Sequence, residues 1–200
     1  PTLPSVEKIK SLKSFILNST RLNKINYIAS NKTAINRNGT FGYRTKIVKD
    51  LNRFKNKYFD LYGKGWHKRQ IPMDMPLMPL ISRSKIIKTI IDFLINSRPF
   101  FIKSKGTIKL KSKTLNNYDF SLAIDPYIGT PIMILEKLFD PMLAGSIPIY
   151  YGPKLTDIPS NCYLRIDSHN TAKDIISIIK KLSPEEKNNY RKNIYNFLIS

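Results

Sequence analysis

A single cysteine, Cys162, stands in a chain of 200 residues, so no internal disulfide can form and packing alone must hold the fold. A lone thiol fits a reducing compartment. There are only 2 histidines, His67 and His169, far apart and without Cys or carboxylate partners at metal-ligand spacing, so neither a structural metal site nor a His-based triad is expected. Acidic side chains are scarce, 14 against 34 Lys and Arg, for a formal charge of +20. No apolar run approaches the roughly 20 residues that span a bilayer, and nothing at the N-terminus has the pattern of a signal peptide. Internal repeats and low-complexity tracts are also missing. What is present, 42% hydrophobic residues, suffices for one core and excludes a disordered chain.

The positive charge points to anionic partners: nucleic acid, an anionic membrane surface or acidic substrates. Lysines are spread along the chain, with one dense patch at Lys103, Lys105, Lys109, Lys111 and Lys113. No recognised nucleic-acid-binding module accompanies them, so specific nucleic-acid binding is not expected. Attraction to a nucleotide diphosphate or to anionic lipid is the better reading, which allows peripheral membrane association. Cys162 follows Ser160-Asn161 at the start of an expected strand, where a small buried side chain is the ordinary role.

Strands and helices alternate, which predicts an α/β fold with a parallel sheet and helices on both faces. Residues 1–23 read as a linker or an N-terminal helix, with 5–15 the helical part. Residues 24–30 read as a first strand and 31–39 as the polar loop at its end. Thr40 is suited to cap a helix whose face is Ile47, Val48, Leu51 and Phe54. Arg44 falls in its first turn, beside free backbone N–H groups and the positive end of the helix dipole, where a guanidinium can clamp a pyrophosphate.

Residues 57–62 predict a second strand ending at Gly63. From Trp66 to Leu80, Pro72, Pro76 and Pro79 exclude a regular element; Met73, Met75 and Met78 there fit gap-filling in a core. A helix is predicted over 82–97, with Ile86, Ile87, Ile90, Ile91, Leu94 and Ile95 packing one side. Short strands are expected over 100–110 around Gly106. Near the C-terminus the pattern predicts a strand over 162–166, a helix over 171–182 and a last helix opened by Ser183-Pro184-Glu185-Glu186 and ending near Ile199.

The most informative stretch runs from Asn117 to Gly152. Tyr118 to Ile124 has strand length and composition. Gly129, Thr130 and Pro131 suit a turn, a cap and a first helical position, so a helix is predicted from about Ile132. Its apolar stripe is Leu135, Leu138, Phe139, Met142 and Leu143, which leaves Glu136, Lys137 and Asp140 on the other side. Pro141 must kink this helix or restart it behind an Asp140 cap. Ala144-Gly145 stops it, and residues 147–151 resume a strand parallel to the first. Ligands of such sheets sit beyond the strand C-termini.

Tyr118, Phe120, Glu136, Lys137, Ala144, Gly145, Pro148, Ile149, Tyr150 and Gly152 stand in this order and at compatible spacing, preceded by Ile28-Ala29-Ser30-Asn31, Arg44 and Asp60-Leu61-Tyr62-Gly63. The set resembles the donor-binding half of the fucosyltransferases (α1,3/1,4 type) of glycosyltransferase family ten. The resemblance spans about residues 24–199, with an unmatched insert at about 66–113. It implies a Rossmann-like domain forming the C-terminal half of a GT-B enzyme. It further implies a donor of the GDP-fucose type or a similar nucleotide sugar, a glycan acceptor as in protein glycosylation, inverting transfer and no required cofactor.

On the same resemblance Glu136 would accept from ribose hydroxyls, while Lys137 with Arg44 would neutralise the diphosphate. Asp125 would serve the sugar or the loop, and Ser30 and Asn31 the loop at the first strand's end. The catalytic base belongs to the acceptor domain, so this chain alone is expected to bind donor and transfer nothing. Two positions depart from the family: Asp125-Pro126 replaces Glu-Asn, and Met133 and Leu135 replace Tyr and Thr. These departures favour the alternatives, a non-catalytic basic module for polyanions or a protein partner, or a GT-B transferase of another nucleotide sugar. The expected location is the cytoplasm or a membrane surface of bacterial or viral type, with the Golgi lumen as the alternative if an anchor lies upstream.

Overall fold

The computed structural model describes residues 4–32, 40–54, 57–72, 74–76, 78–97, 100, 102–126 and 135–200, the side chains of 135 and 136 excepted. Among them, β1 (Leu22–Ile28), β2 (Phe59–Tyr62), β3 (Tyr118–Ile124), β4 (Ile147–Tyr151) and β5 (Leu164–Arg165) form one sheet in the order β2-β1-β3-β4-β5. All four pairings are parallel. The helices are α1 (Val6–Ser11), α2 (Lys13–Asn18), α3 (Phe41–Asn52), α4 (Met78–Arg83), α5 (Lys85–Asn96), α6 (Lys111–Asn116), α7 (Asp140–Leu143), α8 (Ala172–Lys181) and α9 (Pro184–Ile199).

Every residue of β3 and β4 is buried, as expected of central parallel strands covered on both faces. The two-residue period divides their side chains between two cores. Phe120, Leu122 and Ile124 join Ile147, Ile149 and Tyr151, Ile25 and Tyr27 of β1, and the apolar faces of α3 and α8. Ala123 and Tyr150 face the opposite way, against Ile9, Ile16, Leu138, Met142, Ile194 and Leu198. The fold is therefore a Rossmann-like α/β half-domain. Its strand order reverses between β1 and β3, which opens a crevice at their C-terminal ends.

Local chemistry accounts for most element boundaries. Thr171 with Asp174, and Ser183 with Glu186, form reciprocal capping boxes at the starts of α8 and α9. Gly145 takes φ 70°, and a Cβ there would lie 2.5 Å from the Ile16 carbonyl oxygen. Only glycine ends that helix without displacing α2.

Several expectations need correction. The helix expected from Ile132 begins outside the described residues, together with the turn at Gly129, Thr130 and Pro131. The described chain resumes as a π-helical turn, Leu135–Phe139, and then enters α7, whose first residue is Asp140, so Phe139 rather than Asp140 holds the cap position. Pro141 has no N–H to give the carbonyl of Lys137, and a wider turn accommodates that loss. Residues 6–18, read as linker or helix, are α1 and α2, with Ile9 and Ile16 buried against α9.

The proline-rich stretch read as excluding regular structure up to Leu80 gives way to α4 at Met78, and α5 is separate, capped by Ser84. The described part of 100–110 holds no strand. It instead runs along β2, bonding it through Lys105 N to Leu61 O at 2.8 Å and Gly63 N to Gly106 O at 2.8 Å, and Gly106 at φ 83° breaks further pairing. The strand expected over 162–166 shortens to β5 behind a 3-10 turn, Ser160–Cys162.

The helix expected over 82–97 to pack Ile86, Ile87, Ile90, Ile91, Leu94 and Ile95 inward leaves only Ile91 and Ile95 of these half-buried. No residue of α5 is buried, and Ile86, Ile87, Ile90, Phe93 and Leu94 are exposed.

Candidate functional site

The crevice between β1 and β3 holds a cavity of about 560 Å³, within the usual size of a ligand site. Ile28, Ala29 and Ser30 reach it from the end of β1, Gly63 and Lys64 from β2, and Ile124 and Pro126 from β3. Phe41 and Arg44 come from the first turn of α3, and Thr107, Ile108 and Lys111 from the approach to α6. Lys137 enters from the π-helical turn. Arg44, Lys32, Lys64, Lys111 and Lys137 thus share one cavity, and none of its described lining residues is acidic. Such a cavity favours an anion.

Arg44 is 6% exposed and firmly positioned. Its guanidinium donates to the Lys32 carbonyl and lies 4.7 Å from the centre of the Phe41 ring and 6.0 Å from that of Trp66. The indole N–H of Trp66 donates in turn to Ala29 O at 2.7 Å. The Nε of Arg44 is buried and has no hydrogen-bond partner among the described residues. Tyr27 lies behind it; burial pushes that phenol up, and the nearby Arg44 charge opposes the shift.

Thr40 sits at the cap position of α3 but does not cap it with its side chain. Its hydroxyl donates to the Asp125 carbonyl, and its N–H donates to Pro126 O at 3.0 Å. The start of α3 is thereby tied to the end of β3, which fixes the width of the crevice.

Of the residues singled out from sequence, Arg44, Lys137 and Ser30 meet at the cavity. Asn31 and Asp125 do not line it. Asn31 donates to Gly65 O and Lys68 O, each at 3.0 Å, and so holds the loop after β1. Asp125 is buried beside Tyr150 and Gly152, and its N–H donates to Tyr151 O at 2.8 Å. The side chain of Glu136, and Met133, lie outside the described residues. Lys32, Lys64 and Lys111 were not anticipated as a group, because only the strand order brings their loops together. The dense lysine patch was a partial signal: Lys111 reaches the cavity and pairs with Asp140 at 2.7 Å, whereas Lys105 pairs with buried Asp60 at 2.9 Å.

Cys162 is remote from this cavity, and burial pushes its thiol up to about 11, which suits a packed side chain and not a nucleophile.

The sequence matches no family profile and no curated protein. Solved structures share its fold. TarM is 15% identical with a TM-score of 0.50, over 91% of this chain and 33% of TarM. A TarM mutant of S. aureus in complex with Fondaparinux, alpha-GlcNAc-glycerol and UDP is matched at 14% identity and TM-score 0.50, over 91% of this chain and 33% of that one. A trehalose-6-phosphate synthase, studied with bisubstrate glycomimetics for glycosyl transfer with retention, is 9% identical with a TM-score of 0.51, over 100% of this chain and 47% of that one. The chain thus spans less than half the length of each. At these identities the likeness is one of fold alone, that of a Rossmann-like parallel α/β sheet.

Proposed function

We propose that this chain is the donor-binding domain of a fucosyltransferase-like glycosyltransferase, holding a nucleotide sugar of the GDP-fucose type. The observation that carries the reading is the convergence of Arg44 and Lys137, from separate elements, on one cation-lined cavity at the strand-order reversal. Arg44 presents a pre-set guanidinium to the diphosphate, and Lys137 adds a second charge. As the glycosidic bond breaks, the departing nucleoside diphosphate gains negative charge, and fixed cations stabilise it with little reorganisation. These side chains take the part a metal would otherwise play, so no cofactor is required. Glu136 is assigned to the ribose hydroxyls and Ser30 to the edge of the donor, with Asn31 and Asp125 holding the loops that frame it.

The motif resemblance implies inversion, in which a base deprotonates an acceptor hydroxyl. No carboxylate stands among the described lining residues, and the proposed base belongs to an acceptor domain outside this chain. The glycan acceptor binds across the crevice from the donor.

Isothermal titration with GDP, GMP, UDP and GDP-fucose tests the reading. GDP is expected to bind more tightly than GMP or UDP, with no sugar transferred to any acceptor. Arg44→Ala and Lys137→Ala should each weaken GDP by about ten- to a hundredfold, the effect of removing one charge-assisted contact. Equal affinity for GMP and GDP, or binding indifferent to both substitutions, would overturn it.

A further inference from the structure

Among the described residues the exposed large apolar side chains concentrate in one place. Ile86 is 74% exposed, Phe93 73%, Leu94 62% and Ile90 54%, with Ile87 beside them on α5 and Leu80 on α4. Ile86, Ile90, Phe93 and Leu94 recur at helical spacing and form one stripe. In a soluble domain such a stripe turns inward. Here the inward side of α5 is a mixed one, on which Ile91, Asp92, Ile95 and Asn96 are only half-buried. Arg69 N donates to Asn96 Oδ1 at 2.7 Å, an Arg69 guanidinium nitrogen donates to Ile95 O at 3.1 Å, and Lys68 pairs with Asp92 at 3.5 Å. The helix is docked by hydrogen bonds and an ion pair, and its apolar face looks away from the domain.

The charges on this helical pair decide what that face meets. Arg83, Lys85 and Lys88 are all exposed, and the one acid of α4 and α5, Asp92, is already engaged by Lys68. The chain as a whole carries +20. An outward apolar stripe with cationic flanks is the pattern of a helix that lies in a lipid headgroup region, where apolar residues enter the acyl boundary and lysines stay with anionic headgroups.

We infer that α5 is an interfacial anchor that seats this domain on an anionic membrane surface. The helix lies parallel to the bilayer with Ile86, Ile90, Phe93 and Leu94 inserted, and Arg83 and Lys85 at its N-terminal end pair with lipid phosphates. No helix among the described residues is long and apolar enough to cross a membrane, so the contact is a surface one. Lys88 and Asp92 border a groove that also contains Lys32, itself a lining residue of the cation-rich cavity, so seating α5 brings that cavity's mouth toward the lipid plane. The anchor is independent of the nucleotide reading, since no α5 residue lines that cavity.

Vesicle flotation with phosphatidylcholine, alone and mixed with phosphatidylglycerol, tests it, using a Phe93→Trp variant as an insertion reporter. The expected result is binding to the mixed vesicles and not to the neutral ones, with a blue shift in the new tryptophan's emission. The double variant Ile90→Asp, Phe93→Asp should lower binding at least about tenfold, because two exposed apolar groups no longer enter lipid. Circular dichroism should show that this variant stays folded, since neither residue is in the core. The inference is overturned if no vesicle binding occurs, or if binding occurs with unchanged emission and is abolished by moderate salt, the behaviour of adsorption by net charge alone. A concentration-dependent dimer lost in the double variant would give the face to a second copy instead. Vesicle binding by this chain but not by a longer protein containing it would give the face to another domain of that protein.

Discussion

Arg44 is immobilised before any ligand arrives, by the Lys32 carbonyl on one side and the Phe41 ring on the other. A lysine ammonium lacks the planar fork that meets the carbonyl, the ring and a diphosphate at once, so Arg44→Lys should weaken GDP by about tenfold although charge is conserved, as titration calorimetry would show. A second buried charge has a structural role. Asp119 accepts from Lys187 at 3.1 Å and from Arg191, joining β3 to α9. Asp119→Ala leaves two cations buried without their anion and should cost about 3–5 kcal/mol in urea unfolding. At this scale the sequence was legible where chemistry is local: Arg44 in a first turn and Lys137 opposite an apolar stripe could be named in advance. The partners of Thr40 and Asp125 could not, because they lie across the crevice on elements distant in the chain.

The helices show what periodicity can and cannot specify. The α8 and α9 starts were legible because a capping box is contained within a few residues. The stripe on α5 was legible too, but a repeat gives only the existence of an apolar face, and its direction depends on whether neighbouring elements offer it a surface. For α5 they cover only Ile91 and Ile95 in part and otherwise offer polar partners. The π-helical turn escaped because the effect of Pro141 on the preceding carbonyls depends on how the chain enters from residues before it.

Two outcomes belong to this scale. Gly145→Ala should destabilise by about 1–3 kcal/mol, read by thermal unfolding, since it forces a Cβ toward the Ile16 carbonyl at a positive φ. The capping carboxylates Asp174 and Glu186 are held below their ordinary values of 3.8 and 4.5 by bonds from Thr171 and Ser183, respectively. Groups depressed in the folded state stabilise it above their unfolded values, and that contribution fades as pH falls below about 4. Replacement by Gln at 186 should flatten the acid limb of a stability-versus-pH curve.

For the whole molecule, a parallel sheet covered by helices, with its ligand side beyond the strand C-termini, followed from alternating elements, whereas the strand order did not, and with it the place where the charge of +20 concentrates. Charge of that size makes two kinds of binding separable by salt. Nucleotide held in the cavity should retain most of its affinity as ionic strength rises, while adhesion of a polyanion such as heparin should fall steeply with salt. A steep loss for both would favour the basic-module alternative.

The packing of α1 and α2 onto α9 carries one more consequence. Ile9 and Ile16 share their apolar surroundings with Ile194 and Leu198, so neither end of the described chain can peel away without unroofing the other. In hydrogen–deuterium exchange, the amides of residues 9–16 and 187–198 should open as a single cooperative unit, with matched protection despite their separation along the sequence.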